Sequence, residues 1–207
     1  HLRFSDGLVT NVNHAPGAIG DVNPAADRAQ EGAPSGSLVG ITARSSDIDG
    51  DRLTYRLIDD AEGRFAIDRL TGVVAIGDGA SLDYESDASH VIVVRATDRY
   101  GLYSDRSFVV NVADRNEAPG DMLDLDPAID AVAEDALDGS AIGVAAGATD
   151  PDGDRLAYSL ALDADGRFAI DSVSGVLRVA DGALLDHEAA ASHLVRVLAV
   201  DGRGLES

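Results

Sequence analysis

Carboxylate side chains separated by one residue are the groups in this sequence that could do chemistry. Asp47 and Asp49 have this spacing, and so do Asp83 and Glu85. In an extended backbone the spacing places both side chains of a pair on the same side of the chain. Paired oxygen donors without a neighbouring cysteine or histidine suit a hard cation, calcium or magnesium. Clustered like charges are also costly unless a cation lies between them, so the sequence favours metal binding.

The acidic stretches repeat at a fixed interval. Residues 47–51 (Asp-Ile-Asp-Gly-Asp) recur at 150–154 (Asp-Pro-Asp-Gly-Asp), an interval of 103 residues. The same interval relates residues without a gap from position 11 to the end of the sequence. A catalytic site is normally a single asymmetric group of residues, whereas a glycosidase-like pair of carboxylates would here occur twice. The repetition therefore indicates architecture, and we expect no enzymatic activity.

An EF-hand does not account for the first acidic stretch. Asp47, Asp49 and Asp51 match positions 1, 3 and 5 of an EF-hand loop. However, Gly50 falls at the fourth position instead of the sixth, and the twelfth position is Ile58 instead of glutamate. The acids must therefore be brought together by a different fold.

Alternating apolar residues predict the strands that position these acids. Leu53, Tyr55 and Leu57 alternate with polar residues, and similar alternation occurs at 92–96 and 108–112. Short strands separated by turns rich in Gly and Asp predict an all-β sandwich in each repeat. No helix is predicted for the alanine-rich stretch 141–148, because its counterpart 38–45 does not favour a helix. The predicted core residues are Leu53, Tyr55, Leu57, Phe65, Ile67, Ile92, Val94, Ala96, Leu156, Tyr158, Leu160, Phe168 and Ile170.

Composition excludes several classes of partner. The 207-residue chain has a net charge of −21, and all 16 of its basic residues are arginine. Such a chain repels nucleic acids and anionic membrane faces. It has no cysteine, which excludes disulfides and thiolate-bound zinc. No run of about 18 apolar residues is present, so no transmembrane segment is predicted.

The motifs together resemble the cadherin repeat in its bacterial form. The resemblance covers nearly the whole chain and occurs twice in the same order. The motifs that carry it are Asp-Ile-Asp-Gly-Asp at 47–51, Phe-Ala-Ile-Asp at 65–68, Thr-Gly at 71–72, Leu-Asp-Tyr-Glu at 82–85, Ala-Thr-Asp at 96–98 and Asp-Arg-Asn-Glu-Ala-Pro at 114–119, with Leu-Asp-His-Glu at 185–188 and Ala-Val-Asp at 199–201 in the second copy. The resemblance implies tandem seven-stranded, antiparallel, Greek-key β-sandwiches of immunoglobulin-like type, with calcium (Ca2+) bound at each junction.

The resemblance also implies which residues hold the metal. For the junction between the two repeats they are Glu31, Asp83, Glu85, Asp114, Asn116, Glu117, Asp150, Asp152 and Asp201. For the preceding junction they are Asp47, Asp49 and Asp98, and for the following one Glu134, Asp186 and Glu188. Glu117 and Ala118 replace the family's usual aspartate and second asparagine, and calcium coordination tolerates both changes. Asn11 and His14 replace acids in the first linker, which we expect to bind metal more weakly.

The repeat boundaries predict that the chain is part of a longer array. Residues 1–16 are expected to be the tail and linker of a preceding repeat, and 17–116 one full repeat. Residues 117–207 are expected to be a second repeat that ends before its last strand. The predicted function is a calcium-binding module of a secreted or surface-displayed bacterial protein, which supports rigidity and cell–cell or biofilm adhesion. Its expected partners are cadherin-like repeats of the same or a neighbouring chain, with calcium-dependent polysaccharide binding as the alternative.

Several prominent residues receive a structural interpretation. Asp51 and Asp154 are predicted to be turn residues and not metal ligands. His90 and His193 are predicted to be partly buried packing residues. Tyr100 and Tyr103 have no aromatic counterparts in the second repeat, and they are the best candidates for a surface that faces a partner.

Overall fold

The computed structural model describes residues 2–3, 9–10 and 12–207, and it divides the chain into two units. Unit 1 comprises His1–Arg115 and unit 2 comprises Asn116–Ser207. Asn11, one of the positions where the sequence departs from the expected acids, lies outside the described residues.

The described residues of unit 1 form one pair of two-residue strands and two four-stranded sheets. Its strands are β1 (Leu2–Arg3), β2 (Val9–Thr10), β3 (Gly20–Asp21), β4 (Arg28–Gln30), β5 (Leu38–Arg44), β6 (Thr54–Asp59), β7 (Phe65–Ile67), β8 (Val73–Ile76), β9 (Ser89–Thr97) and β10 (Tyr103–Ala113). Strands β1 and β2 pair with each other, and the two sheets have the strand orders β4–β10–β9–β6 and β3–β5–β8–β7. Strand β4 pairs in parallel with β10, and the other pairs are antiparallel.

The two sheets of unit 1 enclose one core. Ile92 and Val94 on β9 are fully buried, and they belong to the same apolar cluster as Val39 and Ile41 on β5 of the other sheet. This shared cluster makes the unit a β-sandwich, which confirms the predicted fold. Leu57 and Ile67 are only half-buried, contrary to prediction, because β6 and β7 are edge strands with less cover.

Unit 2 repeats part of this arrangement. Its strands are β11 (Leu123–Asp124), β12 (Ala141–Gly147), β13 (Ala157–Leu162), β14 (Phe168–Ile170), β15 (Val176–Val179) and β16 (Arg196–Val200), and its 3₁₀ helix is Gly182–Leu184. They form a four-stranded sheet in the order β11–β12–β15–β14 and a two-stranded sheet of β13 and β16. The strand β12 confirms the prediction that the alanine-rich stretch is not helical.

The core of unit 2 is less completely covered than that of unit 1. Phe168 is buried as predicted, but Leu156, Tyr158, Leu160 and Ile170 are only half-buried. In unit 1, β10 adds apolar side chains to the core. At the interval of 103 residues its counterpart would be 206–216, and the sequence ends at 207. Leu160 and Ile170 correspond to Leu57 and Ile67, which are half-buried in unit 1 as well. Only Leu156 and Tyr158 are less covered than their buried counterparts Leu53 and Tyr55.

A histidine packs against the same phenylalanine in each unit. The rings of His90 and Phe65 are 5.8 Å apart and meet edge to face, and the rings of His193 and Phe168 repeat the contact at 5.8 Å. Burial lowers the pKa of His90, since it disfavours the charged imidazole. The predicted packing role of both histidines is therefore confirmed.

Candidate metal centre

Glu31 organises the acidic end of unit 1. It follows β4, and only 3% of its surface is exposed. Its Oε2 accepts a hydrogen bond of 2.7 Å from the backbone N–H of Tyr84, and its Oε1 accepts one from the backbone N–H of Arg115. Hydrogen bonds to an ionised carboxylate are strong. Glu31 therefore fixes the loop after Leu82 and the chain beyond β10 against the end of β4.

The other predicted acids of this end differ in their contacts. Glu85 offers an oxygen within 4.8 Å of one from Glu31 and another within 4.8 Å of one from Asp114. Asp83 instead caps its own turn, because its oxygens accept hydrogen bonds from the N–H and hydroxyl of Ser86 at 3.0 and 2.9 Å. These bonds, the backbone one first, lower the pKa of Asp83.

The corresponding end of unit 2 has a similar cluster. Glu134, Asp186 and Glu188 each offer an oxygen, and these atoms lie within 4.8 Å of one another. Glu134 accepts a hydrogen bond of 3.0 Å from the backbone N–H of His187, which matches the bond between Glu31 and Tyr84. Unlike Glu31, Glu134 is exposed, and the cluster is correspondingly less enclosed.

The opposite end of unit 2 holds the remaining acids predicted for the central junction. The side-chain amide of Asn116 donates a hydrogen bond of 2.5 Å to Asp201, and the backbone N–H of Glu117 donates one of 2.8 Å to Asp152. Burial would raise the pKa of Asp201, which is 6% exposed. Hydrogen bonds from Asn116 and from the backbone that follows Asp201 outweigh burial and lower its pKa.

The same contacts recur at the equivalent end of unit 1. The amide of Asn13 donates a hydrogen bond of 2.7 Å to Asp98, and the backbone N–H of His14 donates one of 2.7 Å to Asp49. The His14 ring also lies 3.0 Å from that Asp49 oxygen. The backbone bond first, and then the ring, lowers the pKa of Asp49. His14 thus adds a side-chain contact to an oxygen whose equivalent on Asp152 meets the backbone N–H of Glu117.

The oxygens at these ends fit a hard cation. In the described part of the chain, Asp150 Oδ2, Asp152 Oδ1 and Asn116 Oδ1 are buried and have no hydrogen-bond donor, and Asp47 Oδ2 is in the same state. A buried acceptor without a partner costs about 1–3 kcal/mol, and more when it is charged. A donor set made of carboxylate and amide oxygens suits calcium, so the residues present fit this metal.

Two acids next to these ends have contacts that the sequence analysis missed. Only 4% of the Asp51 side chain is exposed, and its Oδ1 lies 3.0 Å from Nε of Arg99. In unit 2, Asp154 Oδ2 lies 3.8 Å from Nε of Arg203. The sequence predicts both aspartates as turn residues only. An arginine one or two residues after Asp98 and Asp201 is the sequence signal that could have indicated these ion pairs.

Comparison with known proteins identifies the family. Residues 28–113 match the family model for the cadherin domain. The chain is 33% identical to chicken cadherin-related family member 1 over 179 residues, which cover 84% of this chain and 20% of that protein. The mouse protein of the same name is 32% identical over 215 residues, covering 95% of this chain and 24% of its own length.

Solved structures agree with this result. A crystal structure of mouse cadherin-23 EC22-24 has a TM-score of 0.66 and 25% identity, and the match covers 95% of this chain and 64% of that one. Human protocadherin-24 EC1-2 has a TM-score of 0.66, with 92% of this chain and 88% of that chain covered. At 23% identity the second likeness shows the fold alone. The chain is built of cadherin repeats and belongs to the cadherin family.

Membership of the family tests the predictions about activity and origin. Cadherin domains are extracellular adhesion modules that generally bind calcium, and they are not enzymes, which confirms the expected absence of catalytic activity. These relatives are vertebrate proteins, so they give no support to the expected bacterial origin. The chain spans about a quarter or less of the two curated relatives compared above.

Among the residues that the structure describes, no helix has the length and apolar character needed to span a membrane.

Proposed function

We propose that the chain is a calcium-dependent adhesion module in which the linker around Arg115 and Asn116 carries the principal metal site. Unit 1 would contribute Glu31, Asp83, Glu85 and Asp114, and unit 2 would contribute Asn116, Glu117, Asp150, Asp152 and Asp201. The weaker sites would use Asp47, Asp49 and Asp98 at one end and Glu134, Asp186 and Glu188 at the other.

The observation that carries the proposal is the set of buried oxygens that have no donor. Asp150 Oδ2, Asp152 Oδ1 and Asn116 Oδ1 belong to it within the described residues. The other oxygen of each aspartate accepts a backbone hydrogen bond, from Asp154 to Asp150 and from Glu117 to Asp152. One oxygen of such a carboxylate is therefore fixed by the protein, and the other is available to a cation.

Calcium would supply the positive charge that these carboxylates need. The acids of unit 1 end at Asp114 and those of unit 2 begin at Glu117, so the covalent chain itself brings the two sets to one linker. Ions held by both sets would restrict motion about the linker. Without metal, the same carboxylates would repel one another. Calcium-dependent restriction of this kind supports adhesion between cadherin repeats of the same or a neighbouring chain at a cell surface.

Polysaccharide binding is not proposed as a second function. The family match and the relatives point to adhesion modules, and they give no support to a carbohydrate ligand. Tyr100 and Tyr103 are exposed, but each ring lies against an arginine, at 4.6 Å for Arg99 and 3.5 Å for Arg95.

Calorimetry with calcium tests the metal site. Asp150→Asn removes one negative charge from the proposed ligand set, and we expect calcium binding to weaken by about tenfold or more, because affinity follows the charge and number of ligands. Asp165→Asn is the matched control, since its side chain is 96% exposed and lies in a distant turn. Equal calcium affinity in the two variants would contradict the proposed ligands.

Adhesion itself is tested with beads coated with the chain. We expect the beads to aggregate in millimolar calcium and to disperse in chelator, while Asp150→Asn beads require more calcium. Beads that stay dispersed in calcium while calorimetry shows metal binding would contradict the adhesive function and leave the metal site intact.

A further inference from the structure

Asp51 is a buried carboxylate whose counter-ion comes from a different loop. Its side chain is 4% exposed, and Arg99 Nε lies 3.0 Å from its Oδ1. Its Oδ2 is buried and has no hydrogen-bond donor among the described residues. A buried charge needs a partner to offset its loss of hydration. In the described structure that partner is Arg99, which extends from the turn between β9 and β10.

The second unit reaches the same pairing from a different sequence position. Asp154 is the counterpart of Asp51, and Arg203 Nε lies 3.8 Å from its Oδ2. At the interval of 103 residues, however, Arg203 corresponds to Tyr100, and the counterpart of Arg99 is Gly202. The arginine therefore lies one residue later in the second unit than in the first, yet it contacts the equivalent aspartate. Two different placements with one result indicate that the ion pair itself matters.

The ion pair joins the two loops that carry the proposed ligands of this end. The backbone N–H of Asp51 donates to Asp47 Oδ1 at 3.4 Å, and that of Asp154 donates to Asp150 Oδ1 at 3.2 Å. These bonds occupy Oδ1 and leave Oδ2 of Asp47 and Asp150 as the buried oxygen without a donor among the described residues. The backbone N–H of Asp49 also donates to Asp47 Oδ1, at 2.8 Å. The loop that contains the aspartate therefore fixes which oxygen of the ligand can meet a cation.

The arginine belongs to the hairpin that carries the third acid. Arg99 directly follows Asp98, whose Oδ1 accepts hydrogen bonds from Tyr100 and Leu102 at 2.8 and 2.9 Å. In unit 2, Asp201 accepts the equivalent bonds from Arg203 and Leu205, both at 2.8 Å. An ion pair between loop and hairpin thus limits the separation of the two groups of ligands.

We propose that the pairs Asp51–Arg99 and Asp154–Arg203 are charge clamps that hold the loop and the hairpin of each unit in the geometry that accepts calcium. They are positioning residues and do not contact the metal. The inference rests on the proposed function, because a clamp of this kind matters only if the ends bind metal. It assigns a role to two aspartates that lie beside the ligands without being ligands.

The test uses variants that remove a clamp without changing net charge. Asp154→Asn with Arg203→Gln removes one negative and one positive charge, so the overall attraction for calcium is nearly unchanged. We expect calcium to bind this double variant about two- to fivefold more weakly, the modest effect of losing an ion pair that is partly open to solvent. Arg95→Gln with Asp105→Asn is the matched control, because it removes a bidentate pair with bonds of 2.7 Å from strands β9 and β10. The control is expected to bind calcium like the original chain.

A second measurement does not depend on the metal. In chelator, Asp51→Asn with Arg99→Gln should make the amide proton of residue 51 exchange with solvent at least about threefold faster, because opening of the loop becomes easier. Unchanged exchange together with unchanged calcium affinity of the Asp154 variant would overturn the clamp. Faster exchange in a chain that binds no calcium would overturn the proposed function, but it would still show that the ion pair holds the loop. Tighter calcium binding by the Asp154 double variant would show that the arginine only repels the metal, which also overturns the proposal.

Discussion

At the scale of single residues, Glu31 shows how a carboxylate can serve both the fold and the metal site. Both of its oxygens accept backbone hydrogen bonds, from Tyr84 and Arg115, while it is 3% exposed. Its counterpart Glu134 accepts a backbone bond from His187 and is exposed. The same residue type at equivalent positions therefore contributes differently to the stability of the two units.

Replacement of Glu31 by glutamine is expected to destabilise unit 1 even without calcium. One oxygen becomes an amide group that cannot accept a backbone hydrogen bond, so a buried N–H loses its partner at a cost of about 1–3 kcal/mol. Denaturant unfolding in chelator measures the loss. Glu134→Gln is the control, with an expected loss below about 0.5 kcal/mol. Equal losses in the two variants would show that burial of Glu31 does not matter.

The sequence predicted the acidic residues better than their contacts. The spacing of Asp47 and Asp49 and its recurrence 103 residues later were visible directly. The ion pair of Asp51 with Arg99 was not visible, because it depends on the pairing of β6 with β9, which brings residues 48 positions apart into contact. The hydrogen bonds that Ser86 donates to Asp83 likewise required the local turn geometry. The assignment of every predicted ligand to calcium stays a prediction.

At the scale of elements, the turn before β8 depends on one glycine. Gly72 has a φ of +72°, and a Cβ atom there would lie 2.1 Å from the carbonyl oxygen of Ala43 on β5. The backbone N–H of Ala43 also donates a hydrogen bond to the carbonyl oxygen of Gly72, at 2.8 Å. The turn therefore needs both a left-handed backbone conformation and the absence of a side chain.

Gly72→Ala is expected to destabilise unit 1 by about 2–4 kcal/mol, through left-handed strain and displacement of β5. Gly36→Ala separates the two causes, since Gly36 has a φ of +83° and a Cβ atom added there would meet no atom within 4 Å. It should lose only about 1–2 kcal/mol. Chemical denaturation of unit 1 compares them, and a Gly72 variant no less stable than the Gly36 variant would refute the close approach.

Alternation predicted most strands, because one face of each sheet is buried and the other is exposed. On β9, Ile92, Val94 and Ala96 are buried as expected. Strands β3 and β4 were not predicted, since segments of two and three residues are too short to show a period. The parallel pairing of β4 with β10 also joins residues far apart in sequence.

At the scale of the whole molecule, the two units differ in the size of their buried cores. Among the described residues, the main apolar cluster of unit 1 contains seventeen buried residues and that of unit 2 contains five. Buried apolar surface is the main favourable contribution to folding. The repeat in the sequence suggested two similar units, whereas the described part of unit 2 encloses a smaller apolar core.

Unit 2 is therefore expected to unfold before unit 1 when the calcium-free chain is heated. A deficit of about 2 kcal/mol corresponds to a difference in Tm of roughly 8–16 °C for domains of this size. Two-dimensional NMR can follow the amide signals of Val94 in unit 1 and Leu177 in unit 2. Simultaneous loss of both signals would contradict independent cores of unequal stability.

The proposed function requires that ligands from both units hold the same calcium ions. Calorimetry on Glu85→Gln of unit 1, Asp152→Asn of unit 2 and the double variant tests it most directly. We expect the double variant to lose less binding free energy than the sum of the single losses, by at least about 0.5 kcal/mol. Glu85→Gln combined with Glu188→Gln, which lies in the other cluster of unit 2, should be additive. Additive losses for Glu85 and Asp152 would mean that the two residues bind separate ions, and that result would contradict the shared site.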